Sequence, residues 1–465
     1  MMTNWHDKYT ISTLFENSNH DLTALLSHFQ DTPWTMLLDS SNSQHPDSRF
    51  DIFVTNPVAT ITHQCGINRV SRASAPTDIK ENSTSPLSAL RALLVDTGFS
   101  IKADENQPLP FIVGALGYFG YDLGRQFEVL PSAAINEYEA PDMAIGIYAW
   151  SIIKDNHTKT IYVCRHNDYA TPSDHECVRF FENSHATLPF TLTSAWQANI
   201  SQEEYTQKLH HIHEYLLAGD CYQVNFAQRF KSTFSGSPIS AYLALRQENS
   251  APFSAFLSFD NYHILSISPE RFLQCRNRKV QTKPIKGTRP RHQDEATDSA
   301  LKAALLASTK DKAENLMIVD LLRNDLSRTC MAGSVDVPAL FDIESFSAVH
   351  HLVSTVTGTL APEHDSLSLL QHAFPGGSIT GAPKIRAMEI IDELEPHRRN
   401  IYCGSIGYIG IHNDMDTSIC IRTLLLEKNA VYCWAGGGIV LDSEADSEYQ
   451  ETFDKVAKIL PVLES

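Results

Sequence analysis

The segment Ile401–Val440, IYCGSIGYIGIHNDMDTSICIRTLLLEKNAVYCWAGGGIV, decides the fold class of this chain. Apolar side chains recur along three stretches, which are separated by two polar tripeptides, His412-Asn413-Asp414 and Glu427-Lys428-Asn429. Such spacing is typical of antiparallel strands joined by short turns. The segment therefore predicts a meander of three strands: one that ends near Ile411, one over Asp416–Leu426 and one over Ala430–Ala435.

A helix with clear end signals lies upstream of this meander. Ser201 and Glu204 form a capping box, and Gly219 is suited to the C-cap position. Between them runs one apolar stripe at helical spacing, formed by Tyr205, Leu209, Ile212 and Leu216. Because helices and antiparallel strands occur in the same region, the sequence predicts an α+β fold.

Residues 1–183 show a different pattern, which predicts a β-rich region. Short alternating stretches separated by Ser, Asn, Asp and Pro indicate strands at Trp34–Asp39, Phe50–Thr55, Ala144–Lys154 and Thr160–Arg165. A polar stretch over residues 184–199 is predicted to be a linker. Residues 200–465 then form a second region, which carries most of the chemical signals described below.

Composition excludes several classes of protein. The 465 residues carry a net charge of −18, which disfavours nucleic acid or an anionic membrane as a partner. No apolar run approaches the ~20 residues that a membrane helix needs, and the N-terminus offers no signal-peptide pattern. Nine scattered cysteines without a Cys-x-x-Cys pair speak against a disulfide framework and a structural zinc site. We expect a cytoplasmic protein.

The segment Thr282–Arg291, TKPIKGTRPR, contains the strongest candidate nucleophile. Lys286 lies between Pro284, which stiffens the backbone, and Gly287, which lets a ligand approach closely. A lysine in such a position can act as a nucleophile once it is desolvated. Taken by itself, the segment is equally typical of a basic surface loop.

Two acidic pairs lie on separate helices. Asp311 and Glu314 are three residues apart, so their carboxylates share one helix face, and Glu448 and Glu451 repeat this spacing on a helix predicted over Ser447–Leu460. If the two pairs face each other, they supply the oxygen ligands that Mg2+ prefers. Either pair alone is also typical of acids at a helix start, where the helix dipole favours them.

Two further segments are suited to binding anions. The loop Phe374–Lys384, FPGGSITGAPK, runs into a helix that is predicted to begin at Pro383, and its free N–H groups together with Lys384 make an anion site. Arg422 is predicted to project from the middle strand of the meander, where it needs a partner or a ligand carboxylate. Beside it, Gly436–Gly438 leaves the backbone bare for close contact.

These segments together resemble the family of chorismate-utilising enzymes. Seven motifs occur in the order and spacing of that family: PIKGTRPR, ENLMIVDLLRND, HHLVSTVTG, FPGGSITGAPK, DTSICIRT, AGGGIV and EYQETFDK. The family contains anthranilate synthase component I, aminodeoxychorismate synthase component I, isochorismate synthase and salicylate synthase. The resemblance implies two antiparallel sheets sandwiched between helices, with N- and C-terminal parts intertwined around a cleft.

The resemblance also implies roles for individual residues. Lys286 would be the nucleophile and Glu270 the acid that protonates the leaving hydroxyl. Glu314 and Glu451 would hold Mg2+, supported by Asp311 and Glu448. The residues expected to bind substrate or line the cleft are Gln223, His351, Thr380, Lys384, Tyr408, Arg422, Gly436, Gly437 and Gly438.

Two positions discriminate between branches of the family. Water-using members carry a lysine as general base where this chain has Gln223, which has no useful basicity, so ammonia is the expected nucleophile. Anthranilate synthases resemble the Lys286 segment but have alanine at that position, whereas PIKGT resembles the branch that forms 4-amino-4-deoxychorismate. Anthranilate synthase component I stays the nearest alternative, and a catalytically silent chorismate- or tryptophan-binding protein is the alternative from another class.

The expected substrates are therefore chorismate and ammonia. Nothing in the chain resembles a glutamine amidotransferase, so the resemblance implies a separate subunit of that kind as the ammonia source. Leu37-Leu38-Asp39-Ser40 resembles the tryptophan-binding element of the family, with Asp39 in place of a glutamate. Ser40 thus marks a candidate tryptophan site.

Overall fold

The computed structural model of the chain describes residues 8–41, 45–72, 75–81, 85–99, 109–183, 185–345 and 349–464, with backbone only for 75–81. The strands are β1 (Tyr9–Phe15), β2 (Thr35–Asp39), β3 (Phe50–Val54), β4 (Ala59–Gln64), β5 (Ile67–Arg72), β6 (Ala75–Glu81), β7 (Gly114–Phe119), β8 (Met143–Tyr148), β9 (Trp150–Asp155), β10 (Thr160–His166), β11 (Thr191–Leu192), β12 (Gln197–Ala198), β13 (Gln223–Ser235), β14 (Phe253–Ser258), β15 (Tyr262–Ser268), β16 (Arg271–Arg276), β17 (Lys279–Thr282), β18 (Ile285–Pro290), β19 (Asp336–Ser345), β20 (Val349–Thr359), β21 (Gly381–Ala382), β22 (Ser405–Gly410), β23 (Met415–Ile419), β24 (Thr423–Glu427) and β25 (Ala430–Ile439). The helices are α1 (Ala24–His28), α2 (Pro86–Asp96), α3 (Asp174–Glu182), α4 (Gln202–Ala218), α5 (Pro238–Glu248), α6 (Glu295–Ala307), α7 (Thr309–Ser327), α8 (Ser366–Ala373), α9 (Lys384–Leu394), α10 (Ala445–Val456) and α11 (Leu460–Glu464).

Within the described ranges these strands form two antiparallel sheets. The first has 13 strands in the order β1-β10-β9-β3-β2-β14-β15-β24-β25-β13-β11, with β12 and β21 also paired to β13. The second has 12 strands in the order β18-β20-β17-β16-β23-β22-β7-β8-β4-β5-β6, with β19 also paired to β20. Each sheet contains strands from both residues 1–183 and residues 200–465, so the two parts of the chain are intertwined.

The sheets lie between layers of helices, as the resemblance implied. One apolar cluster joins α2, α7 and α8 to the second sheet and to the facing side of the first, through residues such as Met36 and Ile318. A second cluster packs α5 and α11 on the other side of the first sheet, through residues such as Leu37 and Leu245. Met36 and Leu37 are consecutive, and successive side chains of a strand point to opposite faces. The predicted α+β sandwich is confirmed.

The predicted three-stranded meander is wrong in one respect. The stretch predicted as a single strand over Asp416–Leu426 is two strands in different sheets, β23 in the second and β24 in the first. Arg422 lies between them with φ at 52°, a value that interrupts extended backbone. Because both strands are buried, their apolar residues continue across the break, and the alternation gave no sign of it.

The predicted strand Ala144–Lys154 is divided in the same way. It comprises β8 of the second sheet and β9 of the first, and Ala149 is the residue between them. Every residue of both strands is buried, so this crossing has no polar marker either. Continuous apolar runs are what strands buried on two faces produce.

The sequence signals for helix ends predicted the structure more accurately than the strand patterns did. Helix α4 begins after Ser201, both hydrogen bonds of the capping box are present, and Gly219 adopts the left-handed conformation with φ at 80°. The C-terminal helix predicted over Ser447–Leu460 is two helices, α10 and α11. All nine cysteines are free, and only Cys65 is exposed. No helix of the described ranges is both long and apolar enough to cross a membrane.

Candidate functional site

The site is built around two places where the chain passes from one sheet to the other. Glu270 lies in the crossing from β15 to β16, and Arg422 lies in the crossing from β23 to β24. The two crossings are hydrogen-bonded to each other. The amide of Ile419 donates to the carbonyl of Glu270 at 3.0 Å, and the amide of Ile267 donates to the carbonyl of Arg422 at 3.0 Å.

Lys286 lies on β18 opposite Leu352 of β20. Its amine donates to the carbonyl oxygen of Ser378 at 3.3 Å. Burial lowers the pKa of the Lys286 ammonium, because the charged form loses its hydration, while the carboxylates of Glu314, Glu270 and Glu451 act in the opposite direction. A lysine whose neutral form is made accessible in this way is suited to nucleophilic attack.

Glu270 lies beside this amine with a side chain that is only 5% exposed. The hydroxyl of Ser378 donates to its Oε1 at 2.9 Å. Burial raises the pKa of Glu270 to about 7, although the bond from Ser378 and the charge of Lys286 partly offset the effect. A carboxyl with a pKa near 7 can hold a proton and release it under ordinary conditions, which suits a general acid.

The two acidic pairs meet across the site from helices α7 and α10. Burial raises the pKa values of Glu314 and Glu448, and the charge of Glu451 adds to this for both. Burial also opposes ionisation of Glu451, but Lys455, whose amine is 2.6 Å from Glu451 Oε1, outweighs it and lowers the pKa. Asp311 accepts a hydrogen bond from Arg289 at 3.2 Å. These carboxylates thus lie close enough to affect one another's pKa values.

A glycine strand forms another wall. A Cβ atom at Gly437 would lie 3.1 Å from Glu448 Oε2, and a Cβ atom at Gly438 would lie 1.9 Å from Nε2 of Gln223. The carbonyl of Gly436 accepts a hydrogen bond from Lys455 at 2.6 Å. Gln223 is 1% exposed, and neither polar atom of its carboxamide has a hydrogen-bond partner within the described ranges. Such a buried amide is costly unless a ligand binds it.

Arg422 and His351 lie on the remaining side. Burial lowers the pKa of the Arg422 guanidinium, and no carboxylate of the described residues opposes that change. Burial lowers the pKa of His351 to about 3, and the positive charge of Arg422 contributes. His351 therefore stays neutral, with Nδ1 at 2.8 Å from the hydroxyl of Thr288. A partly buried guanidinium of this kind is a natural receptor for a ligand carboxylate.

Comparison with known proteins identifies the family of this chain. A family model described as chorismate binding enzyme matches residues 36–461. The chain belongs to this family of chorismate-binding enzymes. It is 52% identical over 442 residues to aminodeoxychorismate synthase component 1 of Escherichia coli (strain K12), with 94% of each protein covered. It is 34% identical over 438 residues to anthranilate synthase component 1 of Lactococcus lactis, with 92% of this chain and 94% of that protein covered.

The fold agrees with solved structures of the same family. The crystal structure of anthranilate synthase component I from Streptococcus pneumoniae TIGR4 superposes with a TM-score of 0.77 at 31% sequence identity. The match covers 90% of this chain and 93% of that one. The resemblance inferred from seven motifs is therefore confirmed, and so is the architecture that it implied.

Most of the predicted site residues of this chorismate-binding enzyme lie together. Lys286, Glu270, Glu314 and Glu451 act on one another's charges, Glu448 and the glycines adjoin them, and Arg422 adjoins His351. Thr380 is fully buried, and its hydroxyl donates to the carbonyl of Gly376 at 3.1 Å. Three predicted residues, Lys384, Tyr408 and Ser40, have other surroundings.

Lys384, which the sequence analysis expected to bind substrate, lies in an ion pair between two helices. Its amine donates to Asp325 Oδ2 at 2.7 Å and to the carbonyl of Ala373 at 2.9 Å. Asp325 is buried and the Lys384 side chain is 14% exposed, and their ion pair links α9 to α7. Helix α9 begins at Lys384 itself, with Pro383 as its N-cap residue. The sequence showed a lysine after a glycine-rich loop, but not the acid that neutralises it 59 residues earlier.

Tyr408 and Ser40 lie in a different region from the cleft that holds Lys286. Tyr408 lines a cavity of about 210 Å³ between the sheets, together with Asp39 and Arg271. The hydroxyl of Ser40 donates to Asp51 Oδ1 at 2.6 Å and accepts from Asn156 at 3.0 Å. Tyr408 therefore does not line the cleft that holds Lys286, because it is on β22, which is separated from β18 by several strands.

Two residues of the site were missed by the sequence analysis. Ser378 contacts both Lys286 and Glu270, and Lys455 contacts Glu451 and Gly436. Lys455 had a signal, because it lies four residues after Glu451 and such a pair shares one helix face. Ser378 had only its place within a glycine-rich loop.

We predict that Lys384→Met lowers the free energy of unfolding by about 3–5 kcal/mol, because it leaves the buried Asp325 carboxylate without its partner. Urea unfolding would measure this. The double variant Lys384→Met/Asp325→Leu should recover most of the loss, and Lys302→Ala, at an exposed position of α6, serves as a control. If Lys384→Met instead weakens only chorismate binding and leaves stability intact, the lysine is a substrate anchor after all.

Proposed function

We propose that this chorismate-binding enzyme converts chorismate and ammonia to 4-amino-4-deoxychorismate. The observation that carries the proposal is the amine of Lys286 beside the acid Glu270, both in contact with Ser378. The similarity to aminodeoxychorismate synthase component 1 of Escherichia coli supports it, and the anthranilate synthase relative is more distant. The reaction falls in the transaminase class, and its product serves the synthesis of 4-aminobenzoate and folate after a separate lyase has acted.

The family resemblance implies the chemistry, and the positions of the two groups support it. Neutral Lys286 attacks C2 of the ring, the double bonds shift, and the hydroxyl at C4 leaves with the proton of Glu270. Ammonia then adds at C4, the double bonds shift back, and the lysine leaves C2. Arg422 and the backbone of Gly436–Gly438 hold substrate carboxylates, and the unpartnered amide of Gln223 and neutral His351 line the space around the ring.

The acidic residues suit a bound Mg2+ ion. Among the described residues no group of three His, Cys, Asp or Glu side chains is close enough to hold a metal. The donor chemistry nevertheless fits, because Glu314 and Glu448 have raised pKa values that a divalent cation would relieve. Glu314 and Glu451 would be the ligands, with Asp311 and Glu448 beside them. When bound, Mg2+ would neutralise and orient the ring carboxylate.

Ammonia is supplied by a partner subunit in this proposal. Relatives that are 50% and 52% identical to this chain are named component 1, which implies a second component. We propose that it is a glutamine amidotransferase. Ammonia dissolved in water at neutral pH is mostly protonated to ammonium, which is not a nucleophile. Delivery of unprotonated ammonia beside the bound ring is therefore an advantage.

Two alternatives are less well supported. An anthranilate synthase would also release pyruvate, and this chain has Lys286 where those enzymes have alanine. A silent chorismate- or tryptophan-binding protein has no need for a lysine of lowered pKa next to an acid of raised pKa.

The decisive experiment is product analysis after the purified chain is mixed with chorismate, Mg2+ and an ammonium salt. The expected product is an amino-cyclohexadiene that keeps its enolpyruvyl group, with no pyruvate released. Anthranilate with an equivalent of pyruvate would replace the proposal with the anthranilate synthase alternative. A complete lack of turnover would favour the silent binder.

Lys286→Ala is expected to abolish formation of 4-amino-4-deoxychorismate at saturating ammonia, because the covalent step loses its nucleophile. Intact-mass spectrometry of the wild-type chain with chorismate and no ammonia should detect an adduct that Lys286→Ala lacks. Lys302→Ala, an exposed lysine on α6, is the matched control and should behave as wild type. Normal product formation by Lys286→Ala would remove the lysine from covalent catalysis.

The pH dependence should reflect Glu270. Its pKa is raised to about 7, and the acid must be protonated to serve the leaving hydroxyl, so kcat should fall as pH rises above about 7. The profile should be measured at constant free ammonia, so that only the enzyme titrates. Glu270→Gln should lower kcat by about 10²–10⁴-fold and lose this limb. If kcat of Glu270→Gln still falls as pH rises above about 7, a group other than Glu270 causes the decrease.

The metal assignment is tested by Glu314→Ala and Glu451→Ala. Each removes a proposed ligand, so the Mg2+ concentration needed for half-maximal activity should rise, and Mg2+ should no longer raise the thermal midpoint of unfolding. Asp320→Ala changes an exposed carboxylate of the same helix α7 and is the control. An unchanged Mg2+ dependence in both glutamate variants would show that the ion binds elsewhere.

We also propose that the cavity between the sheets takes tryptophan, with the Leu37–Ser40 element at its edge. Leu38 and Asp39 line the cavity, and Ser40 adjoins it. Titration calorimetry should detect binding of tryptophan and none of phenylalanine. If no binding of tryptophan is detected, the Leu37–Ser40 element does not mark a tryptophan site in this chain.

A further inference from the structure

A cluster of charged side chains outside the site connects the loop between β2 and β3 to the strands that carry the reacting groups. Asp47 accepts a hydrogen bond from Nη1 of Arg271 at 2.7 Å and one from the amine of Lys283 at 3.3 Å. Burial opposes ionisation of Asp47, but these two cations outweigh it and lower its pKa. One carboxylate thus joins a cation at the start of β16 to a cation in the segment between β17 and β18.

The two cations that contact Asp47 are close in sequence to the two reacting residues. Arg271 is the residue after Glu270, and Lys283 lies three residues before Lys286. Asp47 therefore joins the start of β16 to the segment that leads into β18, close to both reacting side chains. The rest of the connection between these strands passes through β17 and β20.

A second arm extends the cluster toward β19. Lys283 also forms an ion pair with Glu344 at 2.5 Å, and Glu344 contacts Nε2 of His45 at 2.9 Å. Glu344 lies opposite His351 in the register of β19 and β20. The loop residues His45 and Asp47 therefore contact, directly or through one partner, the start of β16, the segment before β18, and β19.

Folding alone does not require Asp47. Arg271 keeps Asp416, which accepts from Nε at 2.9 Å and from Nη2 at 3.0 Å, and Lys283 keeps Glu344. Removing the Asp47 charge consequently leaves neither cation buried without a carboxylate. What would be lost is the only link, within the described ranges, that joins Arg271 to Lys283 through one carboxylate.

We propose that Asp47 is a positioning residue, which fixes the spacing between Glu270 and Lys286 by holding Arg271 and Lys283 together. The inference rests on the proposed function, in which these two side chains act on one substrate. A displacement of about 1 Å between reacting groups can cost about 10²-fold in rate. Binding of the substrate depends on other residues, so the effect falls on kcat.

Asp47→Asn is expected to lower kcat by about 10–100-fold while KM for chorismate and the thermal midpoint of unfolding stay close to wild type. Asp47→Glu, which keeps the charge, should recover part of the rate. Lys283→Gln should reproduce the loss, and the double variant Asp47→Asn/Lys283→Gln should be no worse than either alone, because both break one connection.

The matched control is Asp21→Asn. Asp21 forms an ion pair with Arg246 at 2.8 Å, and Arg246 keeps Asp39 as a second partner, so Asp21→Asn also removes one carboxylate from a cation that retains another. Equal kcat values for Asp47→Asn and Asp21→Asn would overturn the proposal. So would a loss of kcat in Asp47→Asn accompanied by an equal loss of stability.

Hydrogen exchange measured by mass spectrometry provides a readout that does not need turnover. Peptides covering residues 268–272 and 283–289 should exchange faster in Asp47→Asn than in Asp21→Asn, with unchanged exchange elsewhere. Unaltered exchange in both peptides would overturn the positioning role. If the wild-type chain forms no 4-amino-4-deoxychorismate, the proposed function fails, whereas the exchange experiment still decides whether Asp47 holds these strands.

Discussion

The rest of the site depends on the hydrogen bonding between two chain crossings. Glu270 and Arg422 lie where the chain leaves one sheet for the other, and the amides of Ile419 and Ile267 bind their carbonyls. The hydroxyl of Ser268 adds a bond of 2.6 Å to the carbonyl of Ile419. Residues between strands are free of the alternation that strands impose, so these two side chains can point into the cleft while their carbonyls stay hydrogen-bonded.

Burial then sets the chemistry of the groups that this arrangement collects. The same loss of hydration lowers the pKa of Lys286 and raises that of Glu270, so the amine is driven toward its neutral form and the acid toward its protonated form. In the proposed reaction, attack and proton donation require those two forms. The acidic pairs of α7 and α10 keep negative charge nearby, and Lys455 balances only part of it.

The contrast between Lys286 and Lys384 shows that burial by itself does not make a lysine reactive. Both ammonium groups have pKa values lowered by burial, yet Lys384 has a direct carboxylate partner in Asp325 and connects two helices. Among the residues that the structure describes, Lys286 has a carbonyl at 3.3 Å and several carboxylates that act through space, but no carboxylate in direct contact. A ligand can therefore approach the amine of Lys286 without breaking an ion pair.

The sequence by itself determined the family, the α+β class and most of the site, because motifs such as PIKGT and the capping box of α4 depend on neighbouring residues. It also placed the two acidic pairs on helix faces through their spacing. Only the tertiary structure decided that Asp416–Leu426 belongs to two sheets, that Asp325 neutralises Lys384, and that Tyr408 lines a separate cavity. Each of these outcomes depends on partners far along the chain. A buried strand presents apolar residues on both faces whichever sheet it joins, so its sequence carries no record of the crossing.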